Sequence, residues 1–193
     1  MISTSHRFLF IHVPKTGGNS VQGVLHKYAD DAIVRIAPHH DGIERFEVRG
    51  RPGTVKHSPL GDYHRAWGSL DGYFKFCCVR NPWDMCVSYY FSPHRGEVAW
   101  DRGAFIHFVE GTIAPLSRYI GDLSRMDFVM RFENLGDDFR SVCRKVGIPE
   151  EPLQRRNVAA GQKSFKHYYD AETVELVASK FQCEIEAFGY SFD

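Results

Sequence analysis

The chain has 193 residues, enough for one domain with a sizeable core. Its 24 Lys and Arg residues balance 24 Asp and Glu residues, so no global charge recruits nucleic acid or an anionic membrane, and any anion site is local. No apolar run approaches the roughly 20 residues of a membrane helix, and Met1-Ile2-Ser3-Thr4-Ser5-His6-Arg7 lacks the charged and apolar regions of a signal peptide.

Arg7 to Val13 is a near-continuous apolar run, the pattern of a strand covered on both faces. A helix is expected directly after it, capped by Asn19 or Ser20, with Val21, Val24, Leu25 and Tyr28 on one apolar face. Residues 30–52 carry a weaker pattern: Ala32 to Ile36 reads as a short strand and the Gly- and Arg-rich remainder as loop. Gly53 to His57 is a further short strand candidate, followed by a helix from Pro59 to about Trp67. Tyr73 to Val79 is a clear strand, and Asn81 with Pro82 caps and opens the next helix. Residues 99–110 are helical in pattern, Asp127 to Phe132 forms a strand, and a helix runs from about Asn134 to Val146. Residues 150–168 are polar and loop-like, and one last helix is expected from about Ala171 to Ala187.

Strands alternating with helices predict a single α/β domain over residues 1–193, in three layers, with a central, mainly parallel sheet flanked by helices. Such folds bind ligands beyond the carboxyl ends of their strands. Lys15, His57 and Arg80 each follow an expected strand end. The five cysteines, Cys77, Cys78, Cys86, Cys143 and Cys183, are odd in number and form no C-x-x-C pair. They read as buried free thiols of a reducing compartment, which places the protein in the cytoplasm.

The segment Phe8-Leu9-Phe10-Ile11-His12-Val13-Pro14-Lys15-Thr16-Gly17-Gly18-Asn19-Ser20 joins a strand to a helix through a glycine pair. Glycines allow close backbone approach to a ligand, and a helix start supplies N–H groups and a positive dipole end. Lys15, Thr16 and Ser20 add a charge and two hydroxyls, so the segment is an oxyanion cradle. Read structurally, it is a tight turn with a solvated lysine. It is not the ATP-type loop G-x-x-x-x-G-K-[ST], because the lysine precedes the glycines and the first glycine is missing.

Pro14-Lys15-Thr16-Gly17-Gly18-Asn19-Ser20 resembles the 5′-phosphosulfate loop of sulfotransferases, commonly P-K-T-G-G-T-S. Cys78-Val79-Arg80-Asn81-Pro82-Trp83-Asp84-Met85-Cys86-Val87-Ser88-Tyr89-Tyr90 resembles the family's 3′-phosphate motif. Phe132-Glu133-Asn134-Leu135 with Asp138-Phe139, and Phe188-Gly189-Tyr190, are similar to its downstream signatures. The closest likeness is to the carbohydrate-sulfotransferase-like branch with compact bacterial members.

The resemblance implies a P-loop-kinase-like fold and transfer of a sulfuryl group from 3′-phosphoadenosine 5′-phosphosulfate to a hydroxyl or amine of a small-molecule or carbohydrate acceptor. It implies that Lys15 contacts the phosphosulfate and steadies the leaving oxygen. Pro14, Thr16, Gly17, Gly18, Asn19 and Ser20 wrap the 5′-phosphate, and Arg80 and Ser88 hold the 3′-phosphate. Asn19 stands where Thr is common and Met85 where Arg is common. Sulfuryl transfer is an in-line displacement in which positioning and electrostatics dominate. Lysine and N–H donors suffice for it, and no metal is expected.

A hydroxyl acceptor needs a base, and the leading candidate among ten histidines is His57 in Thr54-Val55-Lys56-His57-Ser58-Pro59. A basic residue in this region resembles the family pattern. His12 is expected to pack or brace the loop, His64 to lie on the next helix near the pocket, and Lys56 to be a solvated lysine. His39 and His40 lack further ligands at metal spacing. The segment Arg155-Arg156-Asn157 to Gln162-Lys163-Ser164 reads either as a basic surface loop or, by the resemblance, as a lid whose Lys163 contacts the nucleotide. Glu133 is expected to tie strand to helix. Tyr89, Tyr90 and Trp100 are core or acceptor-pocket residues. Two other functions fit parts of the pattern: a P-loop-type nucleotide or small-molecule kinase, and a non-catalytic regulator that binds the 3′,5′-bisphosphate nucleotide. Neither nucleic acid nor a membrane span is expected as part of its function, and the sequence carries no sign of oligomeric state.

Overall fold

A computed structural model describes residues 1–38, 44–92, 95–96, 98–154 and 164–193. The strands are β1 (Ile2–Ser3), β2 (Phe8–Ile11), β3 (Ala32–Pro38), β4 (Glu44–Arg49), β5 (Phe74–Val79) and β6 (Phe128–Arg131). The helices are α1 (Gly18–Leu25), α2 (Leu60–Trp67), α3 (Pro82–Tyr90), α4 (Arg102–Gly111), α5 (Ser117–Ile120), α6 (Leu135–Val146), α7 (Ala171–Lys180) and α8 (Gln182–Phe188). They fall into two compact units, Met1–Val79 with Leu116–Val158, and Arg80–Pro115 with Ala159–Asp193.

The first unit is built on a four-stranded sheet in the order β1-β2-β5-β6. β2 and β5 run parallel, as do β5 and β6, while β1 is antiparallel to β2. The sheet is therefore central and mainly parallel, as the alternation of elements predicts. Period-two alternation puts Phe8, Phe10, Phe76, Cys78 and Met130 in one core with Val21, Val24 and Leu25 of α1. Phe139, Val142, Cys143 and Val146 of α6 join the same core. Each such side chain contributes on the order of 1.5–3 kcal/mol by leaving water. Leu9, Ile11, Cys77 and Val79, the alternate residues, are buried too. That double burial is why β2 and β5 read as continuous apolar runs.

Two expectations in this unit need correction. Residues 44–49 are strand rather than loop: β4 pairs antiparallel with β3 in a separate two-stranded sheet. Phe46 and Val48 are buried and alternate with Arg45, Glu47 and Arg49, so the arginines masked a period-two pattern. Gly53 to His57 is not a strand. Thr54 Oγ1 donates to the Arg51 carbonyl at 3.1 Å and Val55 N–H to Ser58 Oγ at 2.9 Å. These side chains fold the segment into turns, with a lone bridge between Arg49 and Val55.

In the second unit, Asn81 Oδ1 accepts from the backbone N–H of Trp83 at 3.1 Å and of Asp84 at 3.4 Å, with Pro82 opening α3. This is the cap the sequence predicts. Tyr90 is buried in an aromatic core with Trp100, Phe105 and Phe108, and its hydroxyl donates to the Ala99 carbonyl at 3.2 Å. Tyr90 is thus a core residue of this unit, and the half-buried Trp100 packs against it. The expected last helix is two helices, broken at the buried Phe181, whose φ of −114° and ψ of 25° end α7 and begin α8.

Cys77, Cys78, Cys86 and Cys143 are buried free thiols, and Cys183 is free and exposed. Burial pushes the Cys77 thiol up to about 12, and Cys78 and Cys86 upward as well. These thiols are packing groups, not nucleophiles. Among the described residues no helix is long and apolar enough to cross a membrane, and no group of three or more His, Cys, Asp or Glu is placed to hold a metal.

Candidate active site

The end of β2 leads through Pro14 into a loop with two left-handed residues, Lys15 at φ 64° and Gly17 at φ 87°. A lysine rarely adopts this backbone, because its Cβ crowds the following carbonyl. Strain of this kind persists where the surroundings impose it, and it gathers at ligand sites. Here the imposition comes from Thr16, which is buried and donates its hydroxyl to the Val13 carbonyl at 2.9 Å. Lys15 is half-buried beside it.

The cap of α1 is Gly17, not Asn19 or Ser20. The left-handed turn starts the helix earlier than a polar cap would, with no side-chain cap hydrogen bond among the described residues. Gly18, Asn19 and Ser20 lie buried in that turn. A glycine at the cap position lets the backbone N–H groups of the α1 start face the loop, the feature that makes a helix start bind anions. A Cβ at Gly17 would come within 2.6 Å of Leu135 Cδ2 and 3.0 Å of Phe132 Cδ2, so the start of α6 presses on the loop from behind. Phe132 and Leu135 were legible only as a motif, not as loop supports.

His57 lies on the turn before α2 and is exposed. Its Nδ1 is 3.0 Å from the carbonyl oxygen of His12, the residue after β2. A carbonyl only accepts, so Nδ1 carries the proton. In the neutral ring Nε2 then holds the lone pair that a general base needs. The His12 ring lies 4.5 Å from the His57 ring, centroid to centroid. His12 is buried and its own Nδ1 has no hydrogen-bond partner among the described residues. Burial first, then the charges of His57 and Lys56, hold its imidazole well below the ordinary histidine range. His12 is therefore a neutral packing ring, in keeping with its expected bracing role.

Lys56 is not the solvated lysine expected. Its Nζ donates to the Phe46 carbonyl at 3.1 Å and sits 5.4 Å from the Phe46 ring centre. Burial and the nearby Arg45 guanidinium lower its amine to about 8. The Thr54–Ser58 turns that carry His57 are thereby tied to β4. His64 is exposed on α2.

Arg80 and Ser88 belong to the second unit. Arg80 follows β5 directly and pairs through Nε with Asp84 Oδ2 at 2.7 Å, within one turn of α3. Ser88 lies in the last part of α3 and is half-buried. Met85 is buried, so that position packs and does not face solvent. Asp138 ties the strand end to the helix start, accepting from Arg131 N–H at 2.7 Å and from Asn134 Nδ2 at 2.8 Å. Glu133 itself is exposed. Lys163, the rest of the Arg155–Gln162 segment, and His39 and His40 lie outside the described residues.

Residues 1–98 match the sulfotransferase family. The chain belongs to that family. The matched half of the chain holds the Pro14–Ser20 loop, His57, Arg80 and Ser88, and stops short of Phe132, Leu135 and Lys163. The chain is also similar to an uncharacterized protein of Archaeoglobus fulgidus, 35% identical over 99 residues, which are 47% of this chain and 82% of that protein. No solved structure matches it significantly.

Proposed function

We propose that the protein is a cytoplasmic, single-domain sulfotransferase of P-loop-kinase-like fold. It moves a sulfuryl group from 3′-phosphoadenosine 5′-phosphosulfate to a hydroxyl or amine of a small-molecule or carbohydrate acceptor. The observation that carries this reading is the anchoring of His57 to the carbonyl of His12, on the same strand end that opens the Lys15–Ser20 loop. A base and an anion cradle then share one rigid origin, as an in-line displacement requires.

In this reading the loop N–H groups and Lys15 hold the 5′-phosphosulfate. The acceptor oxygen attacks sulfur while His57 Nε2 takes its proton. The bond from sulfur to the bridging oxygen breaks, and that oxygen leaves on the 5′-phosphate, its charge steadied by Lys15. The products are a sulfate ester and the 3′,5′-bisphosphate nucleotide. Family resemblance alone assigns Arg80 and Ser88 to the 3′-phosphate and Lys163 to the nucleotide's outer side. No step calls on a metal.

The test is transfer of label from the ³⁵S-labelled donor to a panel of sugars and small hydroxyl or amine compounds. The reading predicts labelled product with at least one acceptor and about 10² to 10⁴-fold slower labelling with a His57→Ala variant. Product made equally well by that variant would overturn the role of His57, and transfer of phosphate from ATP instead would overturn the donor.

A further inference from the structure

The second loop glycine has no backbone reason to be glycine. Gly18 is helical, and its φ is not left-handed, unlike that of Gly17. What forbids a side chain there is His12. A Cβ at position 18 would lie 2.1 Å from His12 Cδ2 and 2.2 Å from its Nε2. The same His12 ring stacks on Phe10 at 5.8 Å between ring centres and meets the His57 ring at 4.5 Å. It is buried and packed against both of these rings. Displacement of residue 18 is therefore transmitted to His57 through one rigid imidazole. The His12 carbonyl, on the same residue, holds the His57 Nδ1 proton.

We propose that His12 is a positioning residue that couples the donor loop to the base. Its ring sets how closely the start of α1 approaches β2, and the ring and carbonyl together fix the orientation and tautomer of His57. Loop geometry and base geometry are then one variable. A donor seated on the loop meets a base already aligned, and a loop pushed out of place misaligns the base with it. The proposal rests on the reading of His57 as the base, but its test does not depend on an acceptor.

The experiment follows the ¹⁵N resonances of the His57 ring in the full-length protein, which distinguish a protonated Nδ1 from a protonated Nε2. Wild type should show the Nδ1–H form. Gly18→Ala adds one methyl whose three nearest atoms all belong to His12, yet it should mix the two tautomers of His57. His12→Phe keeps the ring bulk and the carbonyl and should preserve the wild-type His57 signal, whereas His12→Ala should not.

Binding of adenosine 3′,5′-bisphosphate supplies a second readout. Gly18→Ala should weaken it tenfold or more. The double variant Gly18→Ala/His12→Ala should bind no worse than His12→Ala alone, because the methyl then enters the space the ring vacates. If Gly18→Ala fails to fold, the double variant should restore folding. A wild-type His57 signal in Gly18→Ala, or additive losses in the double variant, would overturn the proposal. If wild type does not bind the bisphosphate at all, the donor assignment fails while the His57 spectra still decide the coupling.

Discussion

The Lys56 ammonium lies 3.1 Å from the Phe46 carbonyl oxygen, in a largely buried place where its charge is costly. Its amine falls from an ordinary 10.5 to about 8 in the folded chain. Below pH 8 both folded and unfolded chains carry the proton, and the full penalty of burying the charge is present. Between pH 8 and 10.5 the unfolded chain binds more protons, so this group makes stability rise with pH. Lys56→Met should therefore raise stability at pH 7 by on the order of 2 kcal/mol, and the advantage should shrink toward pH 10.5. Urea unfolding at pH 7 and pH 10 measures it; an advantage independent of pH would contradict the assignment.

At Lys15 stability and function are opposed. The left-handed backbone costs a lysine about 1 kcal/mol relative to glycine. Lys15→Gly should unfold at an equal or higher temperature than wild type while losing transfer activity. Lys15→Ala keeps the strain and removes a charge-assisted contact of roughly 1.5–3 kcal/mol, about tenfold to a hundredfold in rate. Melting curves and turnover for the two variants test both halves. Unchanged turnover in Lys15→Ala would sink the role given to Lys15.

His57→Ala should cut turnover by about 10² to 10⁴ and leave affinity for adenosine 3′,5′-bisphosphate near wild type. A large loss of nucleotide affinity would make His57 a binding residue instead. His57→Gln, which cannot take the proton, should be as slow as His57→Ala, and equal rates for wild type and Gln would contradict general-base catalysis.

Arg80→Ala should weaken binding of adenosine 3′,5′-bisphosphate by tenfold or more and hardly change binding of adenosine 5′-phosphate. Asp84→Asn, which removes the carboxylate partner of Arg80 Nε while keeping the side chain's size, should produce a smaller loss of the same selectivity. Equal losses for both nucleotides would argue against a 3′-phosphate role.

Elements with local causes were legible in the sequence. Phe8–Ile11 and Phe74–Val79 announce themselves as doubly buried strands, and Asn81-Pro82 announces the start of α3. What was missed depends on distant neighbours or on competing local chemistry. The β4 alternation of Phe46 and Val48 hides among four charged residues, and Thr54 and Ser58 bend a segment whose composition suits a strand. In the site, the Pro14–Ser20 loop was readable because glycine, lysine and hydroxyl residues are contiguous. The supports behind it were not. His12, Phe132 and Leu135 are ordinary strand-end and helix-start residues until the sheet order β2-β5-β6 gathers them behind two glycines. The part Asp138 takes in tying strand to helix likewise depends on where a side chain reaches, which spacing alone leaves open.

Titration calorimetry of the full chain with adenosine 3′,5′-bisphosphate, adenosine 5′-phosphate and ATP with Mg²⁺ tests the central claim most directly. The account predicts that the bisphosphate binds at least tenfold more tightly than either of the others. Tighter binding of ATP with Mg²⁺, or no binding of the bisphosphate, would contradict it.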